Sequence, residues 1–450
     1  LVFFLMFKRF YPLFQVCSSA ELGRYIVAAR DLSAGDLVLT ERPLVFGPKA
    51  MANPEATMPC VGCYKPVFTD TGERLVCTNQ NFFSSESNEF IVEYLMNNFI
   101  CNLDQETKTK HLPEVSAQLL HQICGIIDTN ALEIRLSEGA ELFALYGNTC
   151  LMKHSCIPNT KHTFILNKKD KNEIYKIRIK VVVPVAKGEH LSTMYSHALW
   201  GTQARRQHLK DTKFFSCKCQ RCSDPTELGT HLSSMKCLGD GSKLCDGIHL
   251  PEDPLDDETD WACNQCSVKV SNSQVNMVIS QMGEEVENVQ MMGGSVTILE
   301  NLLCRLSTFL HPNHYHLYSI KHSLVQLYGR QPSYMSQDIL NKKIKMCKDL
   351  IEITKILDPG NARLSLYSAV LYHELHSALV MKSKTTKTDG SPKTIEEIKP
   401  FVVEAKEAIE IALTALKDDT EETSGKKLFS VIRESKDSLK RFCKEKKINI

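Results

Sequence analysis

Cysteine is the residue type whose spacing carries the most chemistry in this chain. Cys217, Cys219 and Cys222 form a C-x-C-x-x-C cluster that offers three thiolates to one metal ion from a single turn. Zinc prefers four tetrahedral thiolate or imidazole ligands, so the cluster needs a fourth. The candidate is Cys156, in Lys153-His154-Ser155-Cys156-Ile157-Pro158-Asn159. The competing reading is three thiols without a metal, which such density disfavours. A second group is complete in itself: Cys237 and Cys245, then the pair Cys263 and Cys266, in the pattern of a ribbon-like four-thiolate site. The acidic, proline-containing stretch 251–260 would loop out between its halves. Neither set leaves an open coordination position, so both are expected to be structural, with metal binding forming part of the folding free energy. Cys60, Cys63 and Cys77 make a weaker case, because a lone C-x-x-C fits half a zinc site, a redox pair or chance. The single cysteines Cys17, Cys101, Cys124, Cys150, Cys304, Cys347 and Cys443 read as small core residues.

The elements that must position these residues fall into two kinds. Residues 25–29 and 37–39 are strand-like, separated by a turn through Gly35. A helical stretch over about 89–124 places Ile91, Val92, Leu95, Met96, Phe99 and Ile100 at three-and-four spacing. Between 160 and 185 the pattern returns to strands, with a polar turn (NKKDKNE) between two apolar runs, the signature of a hairpin. Beyond about Asn272 the chain reads as successive amphipathic helices, such as 296–309, 315–328, 335–356 and 395–416. No single one can bury its stripe alone, so stacked helix-turn-helix pairs are expected. The polar inserts 382–393 and 417–427 read as exposed loops.

Composition bounds the function. The length of 450 residues corresponds to about three domain-sized units. Hydrophobic content of 43% against 24% charged excludes disorder for the bulk of the chain. Lys+Arg 54 against Asp+Glu 53 leaves a net charge of +1, which argues against extensive nucleic-acid binding. No apolar run reaches the roughly 18 residues that span a bilayer, so no membrane role is expected. The first apolar run is broken by Lys8 and Arg9, and its charges follow the run, the reverse of a signal peptide. Clustered cysteine pairs in that setting favour zinc in a reducing compartment over disulfides.

Four ordered stretches resemble the SMYD family of SET-domain protein-lysine methyltransferases, in the style of its arthropod SmydA group. They are Leu22-Gly23-Arg24-Tyr25-Ile26-Val27-Ala28, Leu151-Met152-Lys153-His154-Ser155-Cys156-Ile157-Pro158-Asn159, Gly188-Glu189-His190-Leu191-Ser192-Thr193-Met194-Tyr195, and the Cys217/Cys219/Cys222 cluster. Leu310-His311-Pro312-Asn313-His314-Tyr315 and Leu357-Asp358-Pro359-Gly360-Asn361 also look like the helical C-terminal domain of these proteins.

The resemblance implies an α+β fold: a β-rich SET domain with a zinc-bound post-SET region, then an α-helical, TPR-like C-terminal domain. It divides the chain into 1–59 as the N-terminal part of the SET domain, 60–88 as a shortened MYND-type finger and 89–128 as a helical insertion. It then gives 129–200 as the SET core, 201–270 as the post-SET and ribbon region and 271–450 as the helical domain. It implies S-adenosylmethionine as cofactor, held around Gly23, Arg24, Tyr25, Asn130, Lys153, His154 and Phe215, with Tyr195 as the active-site tyrosine. Cys156 would share one zinc ion with Cys217, Cys219 and Cys222, and Cys60 and Cys63 would belong to the finger remnant. Lys153 departs from the family's asparagine, Tyr25 replaces a glycine, and the finger lacks room for its second half before Glu89.

The expected partners are a lysine-bearing protein substrate, histone or non-histone, and corepressor or chaperone proteins bound through the helical domain. The expected compartments are cytoplasm and nucleus. The alternative to an enzyme is a catalytically weak SET scaffold acting through protein–protein contacts, for example as a transcriptional corepressor.

Overall fold

The computed structural model describes residues 12–20, 22–48, 92, 96–101, 104–111, 115–135, 141–166, 173, 175–330, 336–386, 390–418 and 424–449. The finger remnant, with Cys60, Cys63 and Cys77, lies outside the described residues.

The first half is built from short strands in small sheets. Strands β1 (Phe14–Ser19) and β2 (Gly23–Ala28) form an antiparallel hairpin. Strands β3 (Leu37–Glu41) and β4 (Val45–Pro48) follow, then helices α1 (Gln105–His111) and α2 (Ala117–Asn130). Among the described residues of the helix expected over 89–124, Val92 is helical, Met96–Ile100 form a π turn and these two helices follow, with Asp104 and Ser116 outside them. Ser116 starts the second by accepting the Leu119 N–H. Next come β5 (Leu132–Arg135), β6 (Glu141–Leu145), β7 (Lys153–His154), β8 (Thr160–Ile165), β9 (Lys176–Val181) and β10 (Ser192–Thr193). The sheets run β3-β9-β8 and β4-β6-β5, and β7 pairs with β10 in parallel.

The expected hairpin is present, in a register that sets Thr160 opposite Val181. Along β9 the residues Ile177, Ile179 and Val181 alternate inward and are buried with Ile26, Leu142, Ala144 and Leu191. Asn159 then stitches two distant loops together. Its Oδ1 accepts the Ser192 N–H at 2.8 Å, and its Nδ2 donates to the His190 carbonyl at 2.8 Å.

The middle of the chain contains α3 (Thr202–Lys213), α4 (Gln220–Ser223) and a four-stranded antiparallel sheet. That sheet is β11 (Met235–Lys236), β12 (Ile248–Pro251), β13 (Trp261–Cys263) and β14 (Lys269–Val270). The remainder is helical: α5 (Asn272–Met291), α6 (Val296–Leu306), α7 (Tyr315–Leu327), α8 (Gln337–Leu357), α9 (Ser365–Lys384), α10 (Ile395–Ala415) and α11 (Ser424–Glu445). Three local signals explain the boundaries. Ser271 and Thr394 form capping boxes with Gln274 and Glu397. Asp358, itself buried, accepts the backbone N–H groups of Ala362, Arg363 and Leu364, which ties the Leu357-Asp358-Pro359-Gly360-Asn361 stretch into a turn. Helix α9 continues through Lys384 where a loop was expected, because Lys382 lies over the Phe401 ring and Lys384 over Phe442.

The helical core is continuous with the first cysteine cluster, since Cys156, Cys217 and Cys222 pack in one apolar cluster with Leu209, Leu306, Leu317 and Leu357. The β8–β9 hairpin also reaches the helices directly. Lys180 pairs with Asp418 at 2.5 Å, and Lys161 donates to the Ala415 carbonyl at 3.4 Å.

Burial in the helices makes an acid-sensitive core. It pushes the imidazoles of His316, His322 and His376 down to about 4, from 6.5. The unfolded chain takes up these protons near pH 6.5 while the folded chain waits until about 4, so stability falls as pH drops through that window. Each histidine contributes about 1.4 kcal/mol per pH unit within that window. Melting temperature followed by circular dichroism is expected to fall steeply from pH 6.5 toward 4; a flat profile would contradict the buried, neutral state of these rings.

Candidate active site and metal centres

The Sγ atoms of Cys156, Cys217, Cys219 and Cys222 lie within 4.8 Å of one another. Cys156 follows β7, Cys217 and Cys219 lead into α4, and Cys222 lies within it. The Cys156–Cys222 sulfur distance is 3.6 Å and all four cysteines are free. Four thiolates at about 2.3 Å from one zinc ion have tetrahedral edges of roughly 3.8 Å, so the donor set fits zinc.

What surrounds this quartet is unusual in charge. Arg205 Nε donates to Cys156 Sγ at 3.3 Å and its Nη2 to Cys222 Sγ at 3.5 Å. Arg205 and Arg221 are completely buried, and Glu227 bridges them at 2.7 and 3.0 Å. Glu227 also accepts the Ser233 hydroxyl and the Thr202 N–H. A zinc ion with four thiolates carries two negative charges and Glu227 a third, so the two guanidinium groups offset two of the three. Arg205, through its N–H···S bonds, is the cation that faces the metal site.

The second quartet, Cys237, Cys245, Cys263 and Cys266, has the same compactness, with sulfur distances of 3.6 Å (Cys237–Cys266) and 3.7 Å (Cys245–Cys263). Here backbone amides solvate the sulfurs: Gly239 N–H to Cys237, Gly247 N–H to Cys245 and Gln265 N–H to Cys263, at 3.3–3.4 Å. Gly239 has φ +83°, and a Cβ there would lie 1.8 Å from the Lys243 carbonyl oxygen, so this knuckle requires glycine. This set also fits zinc. The single cysteines divide: Cys347 and Cys443 are buried, Cys17, Cys124 and Cys150 half-buried, and Cys101 and Cys304 exposed, which corrects their reading as core residues.

Three of the expected cofactor and catalytic residues come together directly. The His154 ring lies 5.4 Å from that of Tyr195 and 5.8 Å from that of Phe215. His154 is buried, and burial pushes its imidazole down to about 4. Tyr195 donates its hydroxyl to the Met152 carbonyl, and burial pushes that phenol up to about 12, so it stays protonated at neutral pH. Tyr25 and Lys153 both flank His190: the Tyr25 ring lies 4.8 Å from it, and burial and then the Lys153 ammonium hold it below its ordinary value. Lys153 itself is exposed. Gly23 and Arg24 are exposed beside the turn between β1 and β2, with Gly23 at φ +62° and open space where a Cβ would stand. Asn130 ends α2, its Nδ2 donating to the Ile126 carbonyl.

Residues 23–196 match the family model of the SET domain. That stretch carries a SET domain. SET domain-containing protein SmydA-8, isoform A, of Drosophila melanogaster is 27% identical over 310 residues, 57% of this chain and 65% of that relative. The match thus spans just under two thirds of that relative's length. N-lysine methyltransferase SMYD2 of Homo sapiens is 30% identical over 116 residues, 26% of this chain and 25% of its own. A solved SET domain of LSMT, bound to lysine and AdoHcy, aligns with 96% of this chain and 87% of its own at 12% identity and a TM-score of 0.26.

Residues that sequence reasoning missed cluster around the SET domain's edge. Arg205, Arg221 and Glu227 belong to no motif; the available signal was that Arg205 stands one turn before the buried Leu209 on α3. Lys213, at the end of that helix, donates to the Thr129 and Asp128 carbonyls at 2.6 and 3.2 Å. It ties the end of α2, and so Asn130, to the segment that carries Phe215.

Proposed function

We propose that the chain is a protein-lysine methyltransferase that uses S-adenosylmethionine. The observation that carries this reading is the convergence of His154, Tyr195 and Phe215, from three separate stretches in and just after the SET domain, beside a quartet suited to zinc. Gly23, Arg24, Tyr25, Asn130, Lys153, His154 and Phe215 would hold the cofactor, the open backbone at Gly23 giving it access. S-adenosylmethionine supplies a methyl group on a positively charged sulfur.

The chain's part is placement. A lysine amine attacks only when neutral, and an apolar channel disfavours its ammonium form. Tyr195, protonated and anchored on Met152, directs the amine through its oxygen lone pairs and does not act as a base. Alignment of this kind supplies about 7–11 kcal/mol in the best intramolecular cases. The substrate would be a lysine-bearing protein, histone or non-histone. The helical region would recruit corepressor or chaperone partners, in the cytoplasm and nucleus and with effects on transcription. No helix among the described residues is long and apolar enough to cross a membrane.

Transfer of radiolabelled methyl from S-adenosylmethionine to a panel of lysine-bearing proteins tests this. Label on lysine that falls at least about tenfold in Tyr195→Phe supports it; no label on any substrate favours the scaffold reading. Lys153 is the residue behind that second reading, because it sets an ammonium where the resembled motif has an amide. Its exposure places the charge in water, where repulsion of a second cation at 4 Å is about 1 kcal/mol. Lys153→Asn is therefore expected to tighten cofactor binding about fivefold by calorimetry, and unchanged affinity would show that the lysine is harmless.

A further inference from the structure

The imidazole of His154 faces the first cysteine quartet on one side and Tyr195 on the other. The Tyr195 backbone N–H donates to His154 Nδ1 at 3.0 Å. An amide nitrogen can only donate, so Nδ1 presents its lone pair and the ring proton sits on Nε2. Nε2 lies 3.3 Å from Cys156 Sγ, which makes the sulfur the acceptor of that proton's hydrogen bond. The ring is 7% exposed and walled by Tyr195 and Phe215, so it cannot turn without opening the core. Tyr195 is held at its other end as well, by the Met152 carbonyl, four residues before Cys156.

We propose that His154 is a positioning residue: its Nε2–H···Sγ bond to Cys156 and its Nδ1 bond to the Tyr195 amide couple metal loading of the Cys156/Cys217/Cys219/Cys222 quartet to the placement of Tyr195. The catalytic meaning of that placement rests on the function proposed above. The physical basis is the state of the sulfur. A metal-bound thiolate stays anionic and fixed, so it is a strong acceptor that anchors the imidazole. A free thiol is a weak acceptor with no fixed position, so the ring loses its anchor on that side and holds the Tyr195 amide less firmly within the same walls. Groups that hydrogen-bond a metal's ligands from outside typically change metal affinity about 10–100-fold when removed.

The test uses the full chain with ¹⁵N-labelled histidine and tyrosine, loaded with zinc or with cadmium, whose longer bonds to sulfur displace the thiolates. His154 is expected in the Nε2–H form, and the Tyr195 amide resonance is expected to move on metal exchange. His154→Asn keeps an acceptor for the Tyr195 amide but cannot reach the sulfur. It should cut the metal-dependent shift of Tyr195 several-fold and weaken zinc about 10-fold in chelator competition. His154→Gln, whose side-chain N–H reaches the sulfur, should restore most of the zinc affinity and not the Tyr195 shift. An Nδ1–H tautomer, a Tyr195 amide indifferent to the metal, or an undiminished shift in His154→Asn would each overturn the proposal. The wild-type tautomer and metal exchange decide the matter if the variants do not fold. None of these signals needs methyl transfer, so an inactive chain that shows them contradicts the proposed function alone.

Discussion

Replacing Cys156 with alanine is expected to remove one zinc ion per chain and to lower the melting temperature by about 10 °C, at about 2–4 °C per kcal/mol for domains of this size. Two losses combine. The sulfur is completely buried and closes the quartet from a segment far upstream of the other three ligands, so its removal opens the loop that ties β7 to α4. Structural zinc sites commonly provide several kcal/mol of folding free energy, and often far more. Arg205 also loses an anionic partner at 3.3 Å, so the buried guanidinium pair faces fewer compensating charges. Metal content by mass spectrometry and melting by calorimetry read both effects, with Cys304→Ala, at an exposed position, as the control. A Cys156→Ala chain that keeps its zinc and melts with the wild type would refute the assignment. Strong chelators should reproduce the effect on the wild-type chain, and should act on the second quartet too.

Glu227→Gln should cost about 3–5 kcal/mol, the usual penalty for breaking a buried charge network on one side. Its carboxylate, 2% exposed, is the acidic partner of two guanidinium groups that see no solvent. Burial pushes this carboxyl up, but Arg205 and Arg221 outweigh it and hold it at about 2, against 4.5 when unfolded. The carboxyl thus contributes its full stability above pH 4.5 and loses it as pH falls through about 2. Urea denaturation at neutral pH measures the cost. Asp349→Asn, which breaks an exposed pair with Lys345, should stay under about 1 kcal/mol. A Glu227→Gln variant within that range would show that the arginines find other partners.

The parts of this structure legible in the sequence are those set by local spacing. Two cysteine sets assemble as their intervals imply, because a metal that takes four thiolates leaves few other uses for such density. The β8–β9 hairpin follows from the alternation that ends in Ile177, Ile179 and Val181, and the helices from α6 to α8 follow from three-and-four periodicity. What was illegible depends on burial of charge and on pairs too short to have a pattern. Strand β7 has two residues and pairs in parallel with a two-residue partner, so no periodicity marks it. Arg205 and Arg221 belong to no motif and arginine is seldom buried, so only the fold reveals thiolates and Glu227 around them. Cys304 shows the converse error, an isolated thiol on an amphipathic helix that faces water.

The central claim is that this knot of segments builds a site for a methyl donor. Calorimetric titration of the zinc-loaded full chain with S-adenosylmethionine tests it most directly. Saturable binding of one molecule per chain, lost when Cys156 is replaced, is the predicted result. No heat of binding at millimolar cofactor would contradict it, and the SET domain would then serve this protein as a scaffold.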